Sequence, residues 1–453
     1  MKKQIVISRF LHWIGFDRSI FYVVSGRGWS LISGPITMYL ITRFFTPETQ
    51  GYFYTFASLL AMQTFLELGF SQCLVQFASH EFAHLRFLPR GGLEGNPEAK
   101  SRLVSLGRLA LKWYGVMAIL FFVCAGMSGQ VFFSLKPGTS VSWQGAWWLL
   151  CLATSLNLVL MPLAAMLEGC NQISFLYGMR VFVAVCLSVV MWVALAGGMQ
   201  LHCGAATALS GFLISGGILA WQWRGLMDEL RRPPQGPVVS WRHEIWPFQW
   251  KIAVSWVSGF FLFNLFTPVL FYFHGPAEAG KMGMTLQLVG SLSAVATAWT
   301  STKGPLFGAL VSQRRYGELD RVFSTATAQA VGVCISGGMV LLMGLAVAQK
   351  YFAFGDRFLK PGPTSLLVLA SVANQVIFSQ ALYLRAHKQE PFMALSVVNG
   401  ILTGLAVTML GWLVGAWGAC LGYCLTQAAL LPLTSFIWNS CRKKWHAQPI
   451  LEG

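Results

Sequence analysis

From residue 19 to residue 439 the sequence keeps returning to long apolar runs with hardly any charge, at approximately 19–43, 51–79, 112–134, 143–167, 173–197, 203–223, 246–273, 279–310, 323–348, 364–384, 391–414 and 417–439. A helix rises about 1.5 Å per residue and a bilayer core is roughly 30 Å thick, so each run is long enough to cross a membrane once. Charged residues make up only 11% of the chain, far below the roughly 25% of a soluble domain. The expected fold is therefore an all-α integral membrane protein of about twelve transmembrane helices, with almost nothing left over for a soluble domain.

The N-terminal stretch "MKKQIVISRFLHWIGFDRS" has no small-residue cleavage site, and Arg9, His12, Asp17 and Arg18 interrupt its apolar residues. It reads as an interfacial segment lying on the membrane, not as a signal peptide. The ten cysteines are scattered through the expected spans. Cys420 and Cys424 are four apart, but His202 and the other histidines supply no ligand set with them, so small apolar filler is the expected role and neither metal nor cofactor is expected.

A net charge of +16 could point to nucleic acid, yet its distribution follows the membrane. With alternate loops assigned to one side, about 21 of the 32 basic residues fall at the N-terminus, near 81–108, in 224–242, in 312–321, at Arg385 and Lys388, and at Arg442, Lys443 and Lys444. The opposite loops hold only Arg43, Lys136, Lys281, Lys350, Arg357 and Lys360. Positive charge stays on the cytoplasmic side, which places both termini there, with anionic membrane lipid and not nucleic acid as the partner of the excess charge.

An internal repeat divides the chain. "TPETQGYFYTF" enters the second span and "GPAEAGKMGMTL" the eighth, each reading Pro, three residues, Gly, as Pro47/Gly51 and Pro276/Gly280. Upstream, "RGWSLISG" and "KIAVSWVSG" each set a basic residue about two turns before a Ser-Gly pair. Six spans thus repeat as six, and because six is even the halves are parallel, related by a pseudo-two-fold along the membrane normal. The hinge is 224–243, interrupted by Pro233, Pro234, Gly236 and Pro237, so the expected bundles are 1–232 and 233–453.

Ionisable residues inside spans are costly and mark function by default. Arg27 lies roughly 12 Å and Glu67 roughly 18 Å from the same edge on neighbouring spans, which predicts that they approach each other. Gln63, Thr64 and Ser71 recur near Glu67, while Ser30, Ser33 and Thr37 continue the Arg27 line, so two polar stripes are expected to face one another across a cavity. A dry structural salt bridge is the alternative. Arg180, Lys251 and Lys303 are further cations in the inner half, and Lys251 continues to Ser255 and Ser258, echoing the Arg27 line. Together they suit an anionic headgroup such as a diphosphate, although Lys251 and Lys303 could instead snorkel to the surface. Glu168 sits at a helix end, where a cap or loop role is expected.

The deep Arg27, "LELGFSQCLV", "MLEGCNQISF", "PFQWKIAVSWVSGFFLFNLFTPVLF", "GPAEAGKMGMTL" and "YLRAHKQEPF" resemble the bacterial O-antigen and exopolysaccharide flippases of the multidrug/oligosaccharidyl-lipid/polysaccharide exporter superfamily, over nearly the whole chain. The resemblance implies a V-shaped pair of six-helix bundles around a cationic central cavity in the bacterial inner membrane. It also implies alternating-access transport of an undecaprenyl-diphosphate-linked oligosaccharide for surface polysaccharide or lipopolysaccharide synthesis. Carried over, the deep basic residues of spans 1 and 7 are Arg27 and Lys251, and the acidic-Leu-Gly element of span 2 is Glu67. A monomer is expected, with other polysaccharide-assembly proteins as partners. A multidrug-type antiporter wants buried carboxylates, of which only Glu67 lies at depth. A polymerase or ligase needs catalytic groups on a sizeable loop, and an ATPase needs a phosphate loop; neither pattern occurs.

Overall fold

The computed structural model describes residues 18–88, 91–135, 141–247, 249–250, 253, 260, 264–387 and 389–446. The interfacial segment expected before residue 18 lies outside them. The described chain is helical nearly throughout, as a bilayer demands: with no water to satisfy backbone N–H and C=O groups, a spanning segment must close its hydrogen bonds internally.

Two units are present, residues 1–45 with 60–256, and residues 46–59 with 257–453. Unit 1 holds α1 (Arg18–Phe44), α3 (Gln63–Glu67), α4 (Phe70–Phe82), α5 (Pro97–Ser134), α6 (Gln144–Gly169), α7 (Ile173–Ala196), α8 (His202–Gln222) and the short α9 (Arg224–Arg231). Here α1 packs on α7, α7 on α8, α8 on α6, and α6 on both α4 and α5. A core of Phe70, Leu103, Tyr114, Met166, Leu176 and Trp223 fills one end of the bundle. A two-stranded hairpin, β1 (Leu85–Phe87) with β2 (Leu93–Gly95), joins α4 to α5 in antiparallel register, Arg86 opposite Glu94. Asn96 then caps α5, its side chain accepting from the N–H groups of Glu98 and Ala99 with Pro97 in the first turn.

Unit 2 holds α2 (Pro47–Leu60), α10 (Phe266–His274), α11 (Pro276–Ser301), α12 (Gly304–Ser312), α13 (Tyr316–Tyr351), α14 (Pro361–Ala386), α15 (Met393–Val414) and α16 (Ala416–His446). The helix α16 packs against both α14 and α15, and α11 against α10, α13 and α14. At one end, Asp320 accepts from Tyr383 (2.8 Å) and from Nε and Nη2 of Arg442 (2.9 and 2.6 Å), tying the start of α13 to the ends of α14 and α16.

Eight of the described helices are long and apolar enough to cross a membrane, and nine if the bent segment Pro47–Phe82 counts as one span; this is a multi-pass membrane protein. Of the other expected spans, 19–43 forms α1 and 279–310 forms α11 with α12. Both are diluted by Gly, Ser, Thr and charged residues. The span expected over 246–273 falls largely outside the described residues, with α10 at its end.

Candidate functional site

The second span does not run straight. Leu68 and Gly69 both adopt left-handed backbone (φ 50° and 66°), ending α3 and starting α4 with a bend of 47° between the flanking segments. Glycine takes this conformation freely, whereas leucine accepts it at a cost that packing must offset. At the break Glu67 is 5% exposed. Its Oε1 accepts from the hydroxyl of Ser71, one turn onward, and from the phenol of Tyr114 on α5 at 3.3 Å. Phe70 packs against Trp113 and stacks on Tyr114, with ring centroids 5.7 and 6.0 Å apart, which holds the phenol in place.

The expected Arg27–Glu67 pair does not form in this structure. Hydroxyl groups, not a guanidinium, satisfy Glu67, and neither residue makes an ion pair among the described residues. Helix α1 lies against α7: Trp29 Nε1 donates to Ser188 (3.1 Å), Trp192 Nε1 donates to Thr37 (2.8 Å), and a Cβ on Gly26 would meet Val181 at 3.3 Å. The buried Ser33 shares this face, so the Ser33–Thr37 line faces α7 and not the Glu67 stripe. Ser30 is exposed and returns its hydroxyl to the Gly26 carbonyl. Gln63 is half-buried.

Arg27 is exposed. At about 100° per residue, the buried Met38 and Ile41 and the exposed Leu31 all lie within roughly 40° of its azimuth. Phe21, Ile32 and Tyr39, each more than half exposed, lie roughly 120–140° away. The apolar exposed strip suits lipid. Arg27 stands at the boundary of that strip, with the exposed Leu31 one turn on and the buried Met38 and Ile41 farther along the helix.

Arg180 is engaged already: its Nη2 lies 3.2 Å from Glu168 Oε2, and its guanidinium sits 5.1 Å from the centre of the Tyr177 ring. Glu168, for which a cap or loop role at the helix end is expected, is an ion-pair partner of Arg180. Lys303 is exposed in the turn between α11 and α12 and makes no ion pair among the described residues. It follows the 26 residues of α11, so it stands roughly 39 Å along from Pro276, a full membrane thickness. Lys251, Ser255 and Ser258 lie outside the described residues. No group of three or more His, Cys, Asp or Glu side chains is placed to hold a metal among the described residues.

Sequence reading missed a charged lattice on unit 1. Lys100 pairs with Glu229 (2.6 Å), while Arg102 bridges Glu81 (2.7 Å) and Glu244 (2.6 Å). Arg108 donates to the carbonyl of Arg231 at 2.9 Å, and Ser105 accepts from the Val239 N–H at 3.0 Å. The segment expected to be a wet hinge is fastened along about two turns of α5, from Lys100 to Arg108. Hydrogen bonds from the Ser240 N–H and then from Arg102 hold the Glu244 carboxyl below the usual carboxylate range, against the opposing effect of its partial burial. No local pattern signals these partners, since each joins residues far apart in the chain.

No family model and no curated protein matches this sequence. Solved structures do. The lipid II flippase MurJ in an inward closed conformation superposes with a TM-score of 0.66 at 12% identity, covering 94% of this chain and 90% of its own. An inward-facing multidrug resistance transporter of the MATE family, MOP superfamily, gives 0.61 at 12% identity, covering 95% and 96%. A MOP superfamily transporter from Pyrococcus furiosus with a binding pocket of reversed polarity gives 0.56 at 12% identity, again covering 95% and 96%. At these identities the likeness carries the fold alone: this chain has the two-lobe, all-helical membrane fold of the MOP superfamily transporters.

Proposed function

We propose that this protein is an alternating-access flippase. It carries an undecaprenyl-diphosphate-linked oligosaccharide across the bacterial inner membrane for surface polysaccharide synthesis, with both termini cytoplasmic. The observation that carries the reading is Arg27, an exposed cation with no ion pair among the described residues, at an azimuth of α1 where Met38 and Ile41 are buried farther along. A free guanidinium at depth is expensive unless something anionic visits it, and its planar fork matches a diphosphate. Lys251 and Lys303 join it as cations of the second half, and Arg180 contributes once it exchanges Glu168 for substrate. Both a lipid II flippase and multidrug transporters share the fold, so the sign of the free charge discriminates between cargoes.

Arg27→Ala at normal protein level should abolish surface glycan and leave the lipid-linked precursor on the inner leaflet. Normal surface glycan in that variant refutes the reading. One observation favours an organic-cation exporter, the buried Glu67 carboxylate. Cation efflux by the reconstituted protein would establish that reading instead. Within the flippase, Glu67 is the ion-coupling group, and Glu67→Gln should retain substrate binding while losing dependence on a pH gradient.

A further inference from the structure

At one end of unit 2, helix ends meet around a polar pocket. Helices α10 and α15 finish there, α11, α14 and α16 begin there, and the segment from Phe358 to Lys360 closes one side. The cavity measures about 510 Å³, inside the roughly 300–1,000 Å³ of small-molecule sites. From Pro363 in its wall to Tyr383 at the Asp320 junction, α14 rises roughly 30 Å, so pocket and junction stand about a membrane thickness apart. Lys281 and Lys360 on this side belong to the sparse basic set that the charge distribution assigns outside.

Local geometry sets the lining. Gly415 turns the chain from α15 into α16 at φ 69°, a conformation that favours glycine, and a Cβ there would come 3.5 Å from the His274 ring. The imidazole Nε2 lies 2.7 Å from the Gly411 carbonyl oxygen and 3.2 Å from that of Trp412. Carbonyls only accept, so Nε2 carries the hydrogen and the neutral ring keeps Nδ1 as an acceptor. Glu278 contributes a carboxylate 3.5 Å from Lys281 Nζ, and Lys360 is exposed with no ion pair among the described residues. Trp417 is half exposed, and its indole edge lies over Gly362, where a Cβ would fall 2.5 Å from Cζ2.

Donors and acceptors thus sit together beside one aromatic face. A simple anion meets the Glu278 carboxylate and a simple cation meets two ammonium groups, so neither matches the whole set. A sugar ring does: its hydroxyls both donate and accept, and its axial C–H groups, slightly positive, suit the negative face of an indole. We infer that this pocket is a saccharide subsite, with Trp417 as the platform and His274, Glu278, Lys281 and Lys360 as hydroxyl partners. It is separate from the cations assigned to the diphosphate, since Lys303 stands at the far end of α11. On the flippase reading it holds glycan that has crossed, and only that role rests on the reading.

The test uses the full-length protein, purified in a detergent without a sugar headgroup, and the methyl glycosides of glucose, galactose, mannose and N-acetylglucosamine as probes. Saturation-transfer NMR should show at least one glycoside receiving saturation, most strongly at its ring C–H protons. Trp417→Ala should cut that signal by about fivefold or more, and Trp417→Phe should restore part of it. Gly362→Ala, which pushes the indole aside without removing it, should weaken binding as well, with thermal unfolding to establish that each variant is folded. No transfer to any of the glycosides overturns the subsite. So does equal transfer in wild type and Trp417→Ala, which reduces the ring to an interfacial anchor. Binding of inorganic phosphate that is lost in Lys360→Ala, with the glycosides silent, overturns it in favour of an anion site. None of these measurements needs transport, so normal surface glycan in Arg27→Ala strikes the cargo assignment alone.

Discussion

The phenol of Tyr114 donates to the carboxylate of Glu67 across 3.3 Å, from a residue 47 positions away in the chain. This contact spans from α5 to the broken second helix, and it replaces the cation that a buried carboxylate would be expected to seek. Tyr114→Phe keeps the stack on Phe70 while removing the donor. The purified protein should lose about 1 kcal/mol of stability, typical of a hydrogen bond between membrane helices, in thermal unfolding. Stability equal to wild type would show that the bond contributes nothing.

Arg27 and Arg180 should behave differently, because among the described residues only Arg180 has a carboxylate partner. Arg27→Gln should eliminate transport, whereas Arg180→Gln also leaves Glu168 unpaired. Combining Arg180→Gln with Glu168→Gln should therefore recover part of the protein yield lost in Arg180→Gln alone. Expression and surface glycan measured in the single and double variants make a cycle; strict additivity would mean that the 3.2 Å pair is energetically idle.

Arg102→Ala strands two carboxylates at once. Glu81 is only 7% exposed, and removing one partner of a largely buried pair costs about 3 kcal/mol, so we expect a large drop in the unfolding midpoint. Arg102→Lys should rescue little, since a single ammonium does not reproduce the fork that reaches Glu81 and Glu244 together.

The same lattice predicts a direction for pH dependence. The folded carboxyl of Glu244 titrates below its unfolded value, because the Ser240 N–H and Arg102 favour the ionised form. Its contribution to stability is accordingly present above the unfolded carboxylate pKa of about 4.3 and is lost as pH falls through the lower folded value. Unfolding followed from neutral pH into the acid range should show a smaller acid loss in Glu244→Gln than in wild type. An identical slope in both would remove Glu244 from the account.

Asp320→Asn weakens the junction of α13, α14 and α16. The fork from Arg442 loses its charge partner, and the end of α16 should become more susceptible to limited proteolysis while the rest of the chain remains protected. Equal cleavage rates in variant and wild type would argue against the junction.

Composition and run length alone determine that this chain is a helical, multi-pass membrane protein, because the physical constraint is one-dimensional: about twenty apolar residues suffice to cross a bilayer whatever their neighbours. The Pro-x3-Gly repeat is legible for the same reason, being a spacing along a helix. What faces what is not. Thr37 and Ser33 make a polar line in the sequence, but only packing turns that line toward Trp192 on α7 instead of toward Glu67. Glu67 has an obvious need and two cheap ways to meet it; the break at Leu68 and Gly69 and the stack of Phe70 on Tyr114 decide for hydroxyl groups. That α2 joins the second unit could not be read from its neighbours in the chain, since a helix jointed at both ends is free in direction. The close approach of Gly51 to Gly280 gives it one. Periodicity sets the azimuth and depth of a side chain, while the partner at that azimuth exists only once the helices have packed.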